Sequence, residues 1–352
     1  MRRGFPLIVT ILRELAFDAG SPLISNVIFC PVFFSSFIIV LPSSLVYRPV
    51  KHMFLETNMK LTNIHNLPEQ IERFAASDKY SRGDADISVT TLIDSPRIHQ
   101  LQELYKNHLS YDLSDRIWAL FGTAVHHVLE AGETPPNAIH EERLFTTFAG
   151  WKISGAIDVQ MSEPDGSVLV TDYKVCSIWS ILNYKLDWER QLNCYAWLVR
   201  RVKEVPVSKL SICAFVRDWS RRKASYDSAY PQTPIAIVDI PVWDPELAEA
   251  YVEERVRAHQ DTQQRFDFED PFPRCNDEER WMKPSKWAVM KDGRKTAVKL
   301  FESQKKAELY IKSQKGASAL FIDHRKGEFT RCKENFCGVA EFCEQYKGDE
   351  NV

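Results

Sequence analysis

The chain has 352 residues, 44% of them hydrophobic and 26% charged, which is the mix of a globular protein long enough to bury a sizeable core. Those values exclude a disordered, collagen-like or polytopic membrane chain, and a net charge of -3 excludes a global positive field. Any contact with DNA or RNA must therefore come from a local patch.

Residues 1–58 are apolar, richest from Val27 to Leu41. That run is broken by Pro31 and falls short of the ~20 residues a spanning helix needs. Arg13, Glu14 and Asp18 interrupt the stretch that a signal peptide would require. At Met59 the composition turns abruptly polar. The expectation is that Met59 or Met53 initiates the native product and that 1–58 is an apolar leader; a membrane anchor and an ordered extension are the alternatives.

After Met59, a helix is expected from Pro68 and another behind Asp94-Ser95-Pro96, with Ser95 as its cap. Ser114 opens a third helix, stopped by Gly132. The period then changes to two. Residues 140–148, 151–160 and 167–174 read as strands, the last two joined by the Glu163-Pro164-Asp165-Gly166 turn. A long amphipathic helix follows over about 184–204, then strands over 207–219 and 235–242. Asp244-Pro245 caps a helix running to about Phe266. Beyond it a hairpin, a helix and a third strand make a small β-β-α-β module.

Asp158 ends one expected strand, while Asp172 and Lys174 sit at the end of the next. Residues two apart share a face, so Asp172 and Lys174 project together. A short hairpin would set Asp158 and Asp172 on adjacent strands, where they could share Mg²⁺ or Mn²⁺, hard cations that favour oxygen ligands. Lys174 could then orient water or stabilise charge on a phosphate. His126 lies on the preceding helix and can add a ring nitrogen, while His127 reads as structural. Gln191 and Tyr195, four apart on the following helix, could bind a backbone phosphate or hold Lys174.

The order Gly122-Thr123-Ala124-Val125-His126, Gly155-Ala156-Ile157-Asp158, Asp172-Tyr173-Lys174, then Gln191 and Tyr195 resembles the PD-(D/E)XK nuclease superfamily, in particular its RecB-like exonuclease branch with phage and prophage members. The resemblance covers about residues 61–198 and the cysteine-bearing tail. It implies an α/β restriction-endonuclease-like core, a mixed central sheet flanked by helices, over 59–270. Residues 271–347 would form a cysteine-bounded basic module. It also implies hydrolysis of phosphodiesters with one or two divalent ions. His126, Asp158 and Asp172 would be the metal ligands, and Asp158, Asp172, Lys174, Gln191 and Tyr195 the catalytic set. Glu142 would add an outer contact.

Cys275, Cys332, Cys337 and Cys343 supply four thiolates, a set that suits Zn²⁺ or an iron–sulfur cluster. Several RecB-like nucleases carry such a cluster at a terminal cysteine group. Here the close pair is spaced by four residues, and the first cysteine follows the core. Iron–sulfur is preferred over zinc. Cys30, Cys176, Cys194 and Cys213 read as buried free thiols, and the cysteine usage points to a reducing, cytoplasmic setting.

Residues 283–315 hold ten Lys/Arg against three Asp/Glu. Lys286, Lys291, Arg294, Lys295 and Lys299, with Trp281 and Trp287, form either a DNA contact or a solvated charged face on the small module. Arg217, Arg221, Arg222 and Lys223 make a smaller patch.

The function expected is a metal-dependent deoxyribonuclease, an exonuclease on linear single- or double-stranded DNA in phage recombination or DNA repair. Its expected partners are DNA and a helicase or single-strand annealing protein, with no membrane partner. The alternative is a non-catalytic nucleic-acid-binding protein that keeps the nuclease fold.

Overall fold

Alternating patterns of period two and period 3.6 give the chain a mixed sheet with helices packed on it. The computed structural model describes residues 60–76, 82–183, 185–265 and 272–350, all within one compact unit, Leu55–Val352. The leader expected over 1–58 lies outside the described residues. Among the described residues no helix is long and apolar enough to cross a membrane.

The strands are β1 (Lys60–Thr62), β2 (Ile87–Ser88), β3 (Ser110–Asp112), β4 (Ala138–Phe148), β5 (Trp151–Ser162), β6 (Val168–Cys176), β7 (Val207–Val216) and β8 (Ile235–Ile240), followed by β9 (Met282–Lys283), β10 (Lys286–Lys291), β11 (Lys299–Phe301), β12 (Leu320–Arg325) and β13 (Glu328–Phe329). The helices that shape the molecule are α1 (Glu69–Ala76), α2 (Pro96–Tyr105), α3 (Ile117–Glu130), α4 (Ile178–Leu182), α5 (Leu186–Lys203), α6 (Pro245–Gln264) and α7 (Gln304–Ser313).

The central sheet runs β2-β5-β6-β7-β8, with β4 also paired to β5. It is mixed: β6 and β7 are parallel, while β4–β5, β5–β6 and β7–β8 are antiparallel. β4 and β5 form a hairpin in which Phe148 faces Trp151 across Ala149 and Gly150. Both turn residues have positive φ, 48° and 83°, as a two-residue turn matched to strand twist demands. In the Glu163–Ser167 turn, Asp165 accepts from the backbone N–H and hydroxyl of Ser167.

β4 occupies one edge of β5 along its whole length, so β2 and β6 must share the other. β2 pairs at Ile153 and Ser154, and β6 pairs only from Val159 onward. Between them, residues 155–158 of β5 have no ladder partner on that edge. The sheet forks there.

The main core lies between the sheet and helices α5 and α6, with Ile153, Ile157, Leu192, Leu198, Leu210, Ile212 and Val252 fully buried. Leu198 reaches the sheet because β5 offers Gly155: a Cβ there would stand 2.6 Å from Leu198 Cδ1 and 3.0 Å from the Tyr195 ring. A second apolar cluster joins Ile98 and Leu101 of α2 to Val339, Ala340, Cys337 and Cys343 of the tail. The basic segment forms its own sheet, β11-β10-β12, and α7 sits between β11 and β12 in sequence. The cysteine tail is thus packed on the core, while the basic hairpin belongs to a separate sheet.

Two expectations need correction. Ser95 begins α2 but makes no side-chain capping bond; its hydroxyl lies 3.1 Å from Cys275 Sγ instead. The helix expected from Ser114 starts one turn late, as a 3₁₀ turn over Leu113–Arg116, because Asp112 caps that turn through the Ser114 N–H.

Candidate metal centre and cysteine pocket

The acidic residues lie at the fork in the sheet, where Asp158 is 7% exposed and Asp172 2%. Continuing the β5–β6 register one step past Val159 and Thr171 sets Asp158 against Asp172, where the ladder ends. Instead of a ladder bond, the Asp158 carboxylate accepts the Tyr173 backbone N–H at 2.7 Å. Asp158 lies within β5 and Asp172 and Lys174 within β6, each strand running on past the residue at which the sequence pattern ends it. Burial, then the neighbouring Asp172 charge, pushes the Asp158 carboxyl up from its ordinary 3.8 to about 7.

His126 of α3 reaches this point from the helix side. Its Nδ1 is 3.0 Å from Glu141 Oε1, and its Nε2 is 3.8 Å from Asp158 Oδ2. Glu141 holds the imidazole pKa above its ordinary value against the opposing effect of burial. The ring edge also meets Tyr173, with centroids 5.8 Å apart. His126, Glu141 and Asp158 each offer a ligand atom within 4.8 Å of the others. One nitrogen and two carboxylates suit a hard or borderline divalent cation. A His126 that donates Nδ1–H to Glu141 turns its Nε2 lone pair toward Asp158, as carboxylates orient metal-binding histidines elsewhere.

Glu141 was not singled out by motif, and its neighbour Glu142 does not join this group. Glu142 faces away, bonded to Gln160 and paired with Lys203. The signal for Glu141 was the tight turn: counted back from Phe148, it falls opposite Asp158 in the hairpin. Its backbone has φ 50° inside a strand. A glutamate there is unusual, and such strain is characteristic of functional positions.

Asp172 stands beside this set rather than within it. Its Oδ2 is 2.6 Å from Lys174 Nζ and its Oδ1 accepts from Gln191 at 3.2 Å. The Lys174 contact is an ion pair that does not meet hydrogen-bond geometry, so buried Oδ2 retains acceptor capacity. Gln191 also donates to the Tyr195 hydroxyl at 2.9 Å. Gln191 and Tyr195 are buried, at 7% and 4% exposure. Gln191 thus bridges Asp172 and the Tyr195 hydroxyl.

The four cysteines line one pocket with Arg97, Arg280 and Arg331. Arg97 is buried and donates from Nε to Cys343 Sγ at 3.3 Å and from Nη1 to the Phe272 carbonyl at 2.9 Å. Arg331 pairs with Asp94 through two 2.7 Å bonds, tying the tail to the start of α2. Gln345 and Cys275 exchange backbone-to-amide bonds at 2.8 and 2.9 Å. Burial pushes the Cys275 thiol up to about 11 and raises that of Cys337. Cys176 and Cys194 are buried as expected, while Cys213 is only half-buried.

Of the expected DNA-contact residues, Trp287 stacks on His324 with centroids 4.7 Å apart, so one ring face is taken. Trp281 is 44% exposed and lies 5.4 Å from Phe336.

No family model matches this chain, and neither does any curated protein. Among solved structures, "Crystal structure of SSO0001" is similar at 20% identity, over 54% of this chain and 82% of that one, with a TM-score of 0.36. A likeness at that score bears on neither fold nor function. The chain is a mixed α/β protein with a helix-flanked central sheet.

Proposed function

We propose that the protein is a divalent-metal-dependent deoxyribonuclease of the PD-(D/E)XK type, an exonuclease serving phage recombination or DNA repair. The observation that carries this reading is the meeting of His126, Glu141 and Asp158 at the fork of the sheet, with the Asp172–Lys174 ion pair on the adjoining strand. A Mg²⁺ or Mn²⁺ held by His126 and Asp158, with Asp172 alongside, would supply Lewis acidity and a more acidic water.

The chain's own residues then have distinct tasks. Glu141 fixes the ring of His126. Tyr195 fixes Gln191, Gln191 fixes Asp172, and Asp172 holds the Lys174 ammonium. Lys174, 28% exposed at its side chain, can reach a scissile phosphate and steady the charge that develops on it. The cysteine pocket supports a second part of the proposal, an iron–sulfur cluster that clamps the C-terminal tail to α2.

The test is cleavage of end-labelled linear DNA and covalently closed circular DNA with Mg²⁺, Mn²⁺ or EDTA. Metal-dependent loss of the linear form with the circle spared is expected. Cutting of the circle would replace exonuclease by endonuclease, and no cleavage with either metal would favour a binding protein that keeps the fold.

A further inference from the structure

The end of β6 carries a second feature that the metal centre does not use. Trp118 and Phe121 of α3 are 52% and 49% exposed, and their rings stack with centroids 5.9 Å apart. The Arg217 guanidinium lies over Trp118 at 3.9 Å, which extends the stack to three planar groups. Trp179 of α4 is 57% exposed, and Lys185 Nζ sits over its ring at 4.6 Å.

These groups converge on one strand end. Arg217 donates its backbone N–H to the Cys176 carbonyl at 3.0 Å, and the Ile178 N–H is held by Asp218 at 2.6 Å. Cys176 itself lies two residues beyond Lys174 on β6, and Asp218 beside Arg217 is the acidic group of this strand end. Exposed Arg221, Arg222 and Lys223 follow directly.

A cluster of exposed aromatic rings, unlike a single one, marks an interaction surface. Here both tryptophans carry a cation on the ring, so the surface is positive as well as aromatic. Purely apolar partners would have to desolvate those cations. Unpaired nucleotides need no such loss: bases stack on aromatic rings and guanidinium planes while the phosphates meet the cations. A duplex keeps its base faces covered and cannot use the rings.

We propose that Trp118, Phe121, Arg217, Trp179 and Lys185 form a binding platform for single-stranded nucleic acid, leading an unpaired strand toward Lys174. The proposal deepens the nuclease reading and rests on it for direction, but strand binding is measurable without cleavage.

The test is fluorescence anisotropy in EDTA at fixed salt, with the full chain, a labelled oligothymidylate and a duplex of equal length. Wild type should bind the single strand more tightly than the duplex. Trp118→Ala and Trp179→Ala should each weaken single-strand binding by about 5- to 140-fold, the equivalent of losing one stacked base. Duplex binding should change by less than about twofold by the same reasoning. Trp118→Phe and Trp179→Phe keep a stacking surface and should retain most of the binding, which separates lost stacking from a misfolded variant. Unchanged single-strand binding in both alanine variants, or equal losses for strand and duplex, would overturn the platform. A metal-dependent nuclease whose alanine variants bind as wild type would refute the platform alone; strand binding lost in those variants with no cleavage by wild type would refute the nuclease alone.

Discussion

Replacing Asp158 by asparagine should make the metal-free protein more stable, and the gain should grow with pH. In the unfolded chain this carboxyl ionises near 3.8, but in the fold it holds its proton to about 7. Between those values the folded state binds more protons than the unfolded state, so stability falls as pH rises. With each pH unit in that window worth about 1.4 kcal/mol, the burden of the ionised group is on the order of 1–2 kcal/mol at pH 5 and several kcal/mol at pH 8. His126 pushes in the same direction: the stability from its raised pKa is present below about 6.5 and is lost above its folded value. The asparagine amide would mimic the neutral acid and can still accept the Tyr173 N–H. At ~2–4 °C per kcal/mol, Asp158→Asn should raise the melting temperature in EDTA by about 3–6 °C at pH 5 and about 8–16 °C at pH 8. Mn²⁺ should stabilise the wild type and leave the variant unmoved. Thermal melts at both pH values, with and without Mn²⁺, read all of this. A variant that melts below wild type at pH 8, or that Mn²⁺ stabilises equally, would refute the reasoning.

Three further expectations follow from other residues. Glu141→Ala should weaken Mn²⁺ binding by about 10- to 100-fold through loss of ring orientation; titration calorimetry that finds wild-type affinity would remove Glu141 from the centre. Gly155→Ala drives a methyl into Leu198 and Tyr195 and should cost ~1–3 kcal/mol, so a denaturant midpoint equal to wild type would show the close approach to be unimportant. Anaerobically purified protein should contain iron and acid-labile sulfide, and Cys343→Ala should lose both; a zinc-only preparation would reverse the choice of centre.

Much of this arrangement could be read from residue order. Period-two segments located β4, β5 and β6, which set Asp158, Asp172 and Lys174 near the fork, while His126 reaches Asp158 from α3. Strand parity correctly joined Asp172 to Lys174. Glu141 escaped because its role depends on hairpin register and on a positive φ that nothing about glutamate advertises. Spacing set Gln191 and Tyr195 on one helix face, but it could not show that both are buried against the sheet, with Gln191 bonded to Asp172. The bond between Ser95 and Cys275 is a contact across 180 positions of chain, and local capping rules cannot see it.

The most direct test of the central claim is single-turnover cleavage of end-labelled linear DNA by wild type and Lys174→Ala, with Mn²⁺ and with EDTA. Loss of Lys174 strips the buried Asp172 carboxylate of its cation and should lower the melting temperature, so the rates are compared at a temperature where both proteins are folded. The account predicts Mn²⁺-dependent cleavage by wild type and a rate lowered by at least about 100-fold in the variant. Cleavage by Lys174→Ala at the wild-type rate would contradict it.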